Sequence, residues 1–410
     1  MAGRDPLQSH RAATPLELLF DLTLVISFGA AASQLAHYLA DNHVASGLAA
    51  FGFVMFAVCW AWVNYSWFSS AYDTDDWAFR VATLIQMIGV IVLSLGIPRA
   101  FVSIDRGALL DIGVIVLGYV IMRLAMVSLW LRAAKQDPAR RKTCLTYAVT
   151  ILIAQIGWIA LLLAKPGWTA VIMFWALLVL VELSGPVIAE KWTGEGGTPW
   201  HAHHIAERYG LLAIIALGEG IIGTVASVSA IAEHQGWSVE AIMMCAAGAG
   251  LTFGMWWIYF VLPAGPVLHK RRNRAFLWGY LHIPLFAAIA GTGAGLHVVG
   301  YFIEHKAKIG TVPTMVAAAV PVGVFIIGIY ALYVALLRKV DALHTLPLSA
   351  TVAVLVTSVT LAWMGASLTL CLAVLTLAPG VTVIGYEMVG VRHMREALLR
   401  ELSEGSRKQT

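Results

Sequence analysis

The chain has 410 residues, 60% of them hydrophobic and 12% charged, with a mean hydropathy of +0.80. Two or three water-soluble domains would fit that length but not that composition: lipid is the solvent, and no room is left for a separate soluble catalytic domain. The formal net charge of +4 is distributed as membrane topology distributes it and not as a nucleic-acid surface.

A span needs ~20 apolar residues to cross a ~30 Å hydrocarbon core. Residues 1–13 carry Arg4 and Arg11 and run straight into a full-length apolar stretch. They lack the short apolar region and small-residue cleavage site of a secretory signal, so the first span is expected to stay in the mature protein. In chain order, spans are predicted at 16–36, 45–65, 79–97, 107–131, 143–163, 168–188, 208–230, 239–262, 275–300, 312–337, 345–363 and 366–386. The weakest division is the last, where Trp363-Met364-Gly365-Ala366 is the one break between two apolar runs. The expected class is an all-α integral membrane protein of about twelve helices. Its organisation reads as an inside segment at 1–13, a six-helix half at 14–188, an inside linker at 189–207, a second six-helix half at 208–386 and an inside tail at 387–410.

Lys and Arg concentrate in short cytoplasmic loops. With the first segment inside, nineteen of them fall inside and five outside, which supports an even number of spans with both ends in the cytoplasm. Arg80, Arg123 and Arg208 are left at or within span boundaries. An offset of 190–197 residues places Glu17 on Glu207, Trp60 on Trp256, Ala78-Phe79 on Ala275-Phe276 and Gln86 on His282. Such halves would be parallel repeats, although apolar sequences also match by chance.

A charged side chain at mid-bilayer costs at least ~2.5–3.5 kcal/mol, so each one asks for a partner or a function. Glu17 and Asp21 share one face of the first span. Arg123 and Glu182, in the fourth and sixth spans, lie ~24 Å and ~21 Å from the outer end at ~1.5 Å per residue. Glu207-Arg208 opens the seventh span, with Glu219 ~16 Å deeper by the same rise and nearly in line with Arg208. His282 sits about two turns into the ninth span. All fall at the midplane or in the cytoplasmic half; Asp111, near the outer end of the fourth span, is the exception. The set reads either as structural ion pairs such as Arg123 with Glu182, with Glu17 and Arg208 in the headgroup layer, or as a polar cavity open to the cytoplasm with Glu219 at its deep end; Glu219 is too deep to snorkel, which favours the cavity.

Two loops add donors. Asp73, Asp75 and Asp76 crowd Tyr72-Asp73-Thr74-Asp75-Asp76; they read as a solvated acidic turn or as oxygen ligands for Mg²⁺ or Ca²⁺, without the spacing of an EF-hand. In the repeat register this loop would face the basic His269–Arg274 run. His201, His203 and His204 with Glu207 read as an interfacial cluster, a proton relay or a His-x-x-Glu pair for Zn²⁺. Trp67, Trp77, Trp168, Trp192, Trp200 and Trp237 flank spans as an aromatic belt. Trp60, Trp62, Trp256 and Trp257 lie deeper and read as packing or cavity lining. The cysteines, with no Cys-x-x-Cys pair, read as small packing residues.

The run Thr14-Pro15-Leu16-Glu17-Leu18-Leu19-Phe20-Asp21-Leu22, the Asp73-Thr74-Asp75-Asp76 loop with Arg80, and His204-Ile205-Ala206-Glu207-Arg208-Tyr209-Gly210-Leu211 with Leu217-Gly218-Glu219 resemble the bacterial low temperature requirement protein A family. The resemblance covers most of the chain and implies a multi-span protein of the bacterial inner membrane, linked by name to growth in the cold, with no settled substrate or reaction. The expected function is a transporter or channel for a small solute, proton or cation along Glu17, Asp21, Arg80, Arg123, Glu182, Glu207, Arg208, Glu219 and His282. Glu219 would be the protonatable or substrate-coupling carboxylate. An intramembrane metal-dependent enzyme with a cytoplasm-facing site, and a membrane sensor or scaffold, stay open beside it. No cofactor is expected beyond a metal ion at the two loops. The expected partners are the lipid bilayer and an unidentified small solute or ion, with no nucleic acid.

Overall fold

A computed structural model describes residues 3–6, 8, 11–107, 110–337 and 342–387. These residues form helices α1 Pro15–Ala40, α2 Val44–Tyr72, α3 Trp77–Arg106, α4 Gly113–Gln136, α5 Arg141–Ala164, α6 Trp168–Trp192, α7 Ala202–Gln235, α8 Val239–Val261, α9 Ala264–Lys270, α10 Ala275–Ile303, α11 Thr311–Leu337, α12 Ala342–Trp363 and α13 Leu368–Gly385. No strand occurs among them. All but the short α9 are long and apolar enough to cross a membrane, which makes twelve spans.

Several helices run past the predicted spans, α2 to Tyr72 and α3 to Arg106 among them, and two of the boundaries that differ are set by capping. Gly107, at φ +59°, closes α3 in the left-handed conformation that suits glycine, so α4 begins at Gly113 and Asp111 lies outside any helix. His201 is the N-cap of α7, its ring accepting from the His204 backbone N–H. The helix therefore starts a turn and a half earlier than apolarity suggests, and residues 202–207 of the expected linker are helical, as are residues 189–192 at the end of α6. The break after Trp363 is a true turn: Gly365 takes φ +84°, Ala366 N–H returns to Leu361 O at 3.0 Å, and Ser367 caps α13. The tail from 388 onward, with its five basic residues, lies outside the described residues, as do Arg338 and Lys339.

The end of the bundle that holds the start of α1 and the 73–76, 137–140, 193–201 and 262–274 connections is called the basic face below. In each half the helices pack in one order: α1 on α3, α3 on α4, α4 on α5, α5 on α6; then α7 on α10, α10 on α11, α11 on α12, α12 on α13. The halves meet where α1 and α2 pack on α7 and α10. The residue pairs aligned by the internal offset occupy unlike surroundings: Glu17 is buried and Glu207 exposed, Trp60 buried and Trp256 39% exposed. The most enclosed stretch is in α2, where every residue from 57 to 72 is buried. That enclosure puts Trp60, Trp62, Ser66 and Trp67 within reach of charged groups on three other helices, α1, α6 and α7.

Candidate functional site

Near the basic face the sequence builds a charge cluster from three helices. Thr14 and Glu17 form a capping box that starts α1, with the Thr14 N–H donating to Glu17 Oε2 at 2.7 Å and the Glu17 N–H donating to Thr14 Oγ1 at 3.3 Å. One turn on, Asp21 lies on the same face. His204 and Arg208, also one turn apart on α7, turn inward to meet them. His204 Nε2 is 3.1 Å from the Glu17 carboxylate, and Arg208 Nη1 is 3.6 Å from Glu17 Oε1. Arg208 Nη2 donates to Asp21 Oδ1 at 2.6 Å and to Ser66 Oγ at 3.2 Å. Trp62 Nε1 donates to the same Asp21 oxygen at 2.7 Å. Glu17, Asp21, His204 and Arg208 are all fully buried, and Arg208 lies over the rings of Trp62 and Tyr65. Glu17 Oε1, Asp21 Oδ2, His204 Nδ1 and Arg208 Nε and Nη1 have no hydrogen-bond partner, so the cluster is paired in charge but incompletely satisfied.

A second buried centre lies in the first half. Arg123 of α4 donates to Glu182 of α6 at 2.7 Å, the pair that equal depth suggested. Glu182 also accepts from Trp60 and Tyr119 at 2.8 Å each, and from Gln155 and Trp158 at 3.4 Å. Five donors surround this one carboxylate, so its hydrogen-bonding capacity is well satisfied.

A third carboxylate, Glu190 of α6, went unnoticed because it lies past the predicted end of its span. It accepts from Trp67 at 3.1 Å, Tyr147 at 2.9 Å, and the Thr198 backbone and hydroxyl. Trp67 is therefore buried and bonded inside the bundle. Trp200 is buried as well, with the Arg272 guanidinium over its ring at 3.9 Å. Neither belongs to an aromatic belt. Trp77, Trp192 and Trp237, each nearly four-fifths exposed, are placed as belt residues are. Trp60 and Trp62 are buried donors to carboxylates, whereas Trp256 and Trp257 lie on the outer surface of α8.

The two donor-rich loops do not converge. Asp75 pairs with Arg80 through two bonds of 2.9 Å, and Asp76 caps α3 at the Phe79 N–H while pairing with Arg132. These arginines hold the Asp75 and Asp76 carboxyls below the usual carboxylate range. Asp73 is enclosed instead. Burial, reinforced by the Glu17 charge, pushes its carboxyl up, and its Oδ2 has no donor within hydrogen-bond range, Arg4 lying 3.7 Å away. The acidic loop thus pairs with Arg80, Arg132 and Arg4, not with the 269–274 run. Arg80, 61% exposed, stays at the surface away from the buried cluster. His201 Nε2 lies 2.8 Å from Gln8 O, and burial lowers its basicity. His203 lies beside His269, their rings tilted with centroids 6.0 Å apart, His204 faces Glu17, and Glu207 is exposed, accepting from the Ala13 N–H at 3.3 Å. No grouping of three or more His, Cys, Asp or Glu fit to hold a metal occurs among the described residues.

Glu219 and His282 complete the set. His282 is buried among Tyr209, Trp278 and Phe286, 3.1 Å from the Tyr259 hydroxyl and 2.8 Å from Trp278 O. It lines a cavity of about 90 Å³ between α7, α8, α10 and α11. Glu219 is only 3% exposed, yet no hydrogen bond or ion pair reaches it among the described residues. Two glycines make its slot. A methyl group on Gly29 of α1 would lie 3.2 Å from Glu219 Oε1, and one on Gly293 of α10 would lie 2.6 Å from the Glu219 backbone oxygen. Close helix approach, not a polar partner, encloses this carboxylate.

Comparison with known proteins bears on identity and leaves chemistry open. An uncharacterized protein of Rhizobium meliloti is 26% identical over 308 residues, covering 72% of this chain and 70% of that one. No solved structure matches. The family model for the bacterial low temperature requirement A protein matches residues 12–379, a range that takes in α1 through most of α13 and every buried charge described above, and the chain belongs to that family.

Proposed function

We propose that this protein is a carrier or channel of the bacterial inner membrane that moves a proton or a small cation, with Glu219 as the carboxylate that binds and releases it. The basic face is then cytoplasmic, following the excess of Lys and Arg in its connections. The observation that carries the reading is the isolation of Glu219. Glu17, Asp21, Glu182 and Glu190 each have two or more donors or cations around them, and Glu219 has none among the described residues. A bare carboxylate in a low-dielectric interior is neutralised by a proton or a bound cation, because a lone buried charge costs several kcal/mol. A group that depends on an exchangeable partner is suited to transport, and sites near the midplane between packed helices are where carriers place them. Gly29, Gly293 and the one-turn spacing of the Glu17, Asp21, His204 and Arg208 cluster put the carboxylate on a line from the basic face along α1 and α7. The metal-enzyme reading has less support, since the two loops that suggested it hold their donors apart.

The test is Glu219→Gln in proteoliposomes loaded with a pH-sensitive dye. Gln keeps shape and hydrogen-bonding capacity but cannot titrate. We expect normal accumulation, an unchanged melting temperature and no proton-coupled flux, together with failure to restore growth in the cold to a deletion strain. Wild-type flux from the Gln protein would remove Glu219 from the mechanism.

A further inference from the structure

Two described residues of the segment ahead of α1, Arg4 and Arg11, lie against the carboxyl end of α2. The Arg11 guanidinium donates to the carbonyl oxygens of Ser69 and Ser70. The Arg4 backbone N–H donates to Ala71 O at 3.0 Å, and its side chain reaches Asp73 O at 3.4 Å. A helix carboxyl end exposes unpaired carbonyls and carries about half a negative charge. Three buried carboxylates surround this one: Asp73 just beyond it, and Glu17 and Asp21 on the adjoining α1. Each of the three has an oxygen that no hydrogen bond satisfies among the described residues. Arg11 is itself buried, and desolvation together with the Arg4 charge lowers its pKa to about 10.

Charge balance shows what the segment does. Glu17, Asp21 and Asp73 are countered by Arg208, Arg11 and Arg4, and two of these three arginines come from the segment. Without them one arginine would face three carboxylates and the free carbonyls of α2. Uncompensated buried charge is costly enough to recruit a cation from solution. Glu17, Asp21 and Asp73 each offer an acceptor oxygen without a hydrogen bond among the described residues, and the groups the structure sets against this end of α2 are guanidinium groups.

We infer that Glu17, Asp21, Asp73 and the terminal carbonyls of α2 form an entry site for a monovalent cation with N–H donors, of the guanidinium or ammonium type. The chain's own Arg4 and Arg11 occupy this site, so the segment is a self-plug over the path to Glu219. This rests on the carrier reading and adds to it a ligand class and a gate.

The experiment uses the full chain with Cys245→Ala, which removes the exposed cysteine and leaves the three buried ones, and Ser70→Cys as reporter beneath the plug. Labelling by a membrane-impermeant maleimide is measured with Arg4 and Arg11 intact, with Arg4→Gln/Arg11→Gln, and with Arg11→Lys. We expect slow labelling with the arginines or with lysine. The double Gln protein should label ~tenfold faster, the factor that loss of one charge-assisted hydrogen bond carries. Added guanidinium chloride should slow it again, and tetramethylammonium, which has no N–H donor, should not. If the double variant does not accumulate, Arg4→Gln alone, whose side chain is partly exposed, carries the same comparison. Unchanged labelling in a folded Gln variant, or equal protection by both cations, overturns the entry site. Labelling needs no flux, so it is judged separately from Glu219→Gln: wild-type flux there would remove Glu219 from the mechanism and leave the entry site standing, and absence of flux from the wild-type chain would sink the carrier reading without touching the labelling result.

Discussion

Glu182 and Glu219 are two buried glutamates on neighbouring levels of one bundle, and they are held in opposite ways. Glu182 is wrapped by Arg123, Tyr119, Trp60, Gln155 and Trp158; Glu219 is wrapped by glycine and alkyl carbon. The first is a fixed charge whose surroundings are spent on keeping it. The second has been left without a partner at similar burial. A carboxylate with five donors pins helices, whereas one with none can change its occupant.

Stability should divide along that line. Arg123→Leu or Glu182→Leu alone strands a buried charge and is expected to cost ~3–5 kcal/mol, while the double variant should cost far less. Glu219→Leu strands nothing and should melt at or above the wild-type temperature. Thermal unfolding in detergent measures all four, and additive losses at Arg123 and Glu182, or a large loss at Glu219, would break the comparison.

The glycines sharpen it at smaller amplitude. Gly293→Ala drives a methyl group into the Glu219 backbone, which cannot yield, and should cost about 1–3 kcal/mol of stability as overpacking does. Gly29→Ala meets only the end of the Glu219 side chain, which can swing, so the melting temperature should hold while flux falls. Equal melting losses from the two would mean that the carboxylate is as fixed as the backbone.

The smallest effect lies in the acidic loop, where the same contrast recurs outside the membrane. Asp76 has arginine donors and a folded pKa below its unfolded value of ~3.9; its contribution is present above that value and lost as pH falls through the folded pKa. Asp73 is enclosed and raised, so its contribution is fully present below ~3.9 and lost as pH rises through its folded pKa. Acidification from neutrality toward pH ~4 should thus raise stability slightly, and further acidification should lower it. Asp73→Asn should abolish the rise and Asp76→Asn the fall; a melting profile insensitive to both would deny the loop any such role.

Much of this could be read from residues in order. Span positions follow from apolar length, and equal depth was enough to pair Arg123 with Glu182. The inward turn of His204 and Arg208 was not legible, because apolar length started the seventh span at 208 and the N-cap at His201, which begins α7 six residues earlier, carries no hydropathy signal. Helical periodicity was silent on which side chains converge from other helices: Trp60 and Trp62 looked like packing because an indole N–H shows its use only beside its acceptor. Glu190 escaped for a related reason, since hydropathy ended its span before it and its donors come from α2, α5 and the following loop. The burial of Arg11 was invisible because a basic residue ahead of a first span reads as a topology signal, whatever it touches.

The turn at Gly365 has a bearing on how the protein is made. Met364 to Ser367 is all that joins α12 to α13, too short a link to wait on the far side of the bilayer while the second helix is synthesised. The two helices must leave the translocation machinery together as a hairpin, with Gly365 at φ +84° supplying the reversal that a side chain would resist. A branched residue there would be felt first during biogenesis, as a chain whose last crossing fails and whose following basic segment emerges on the wrong side.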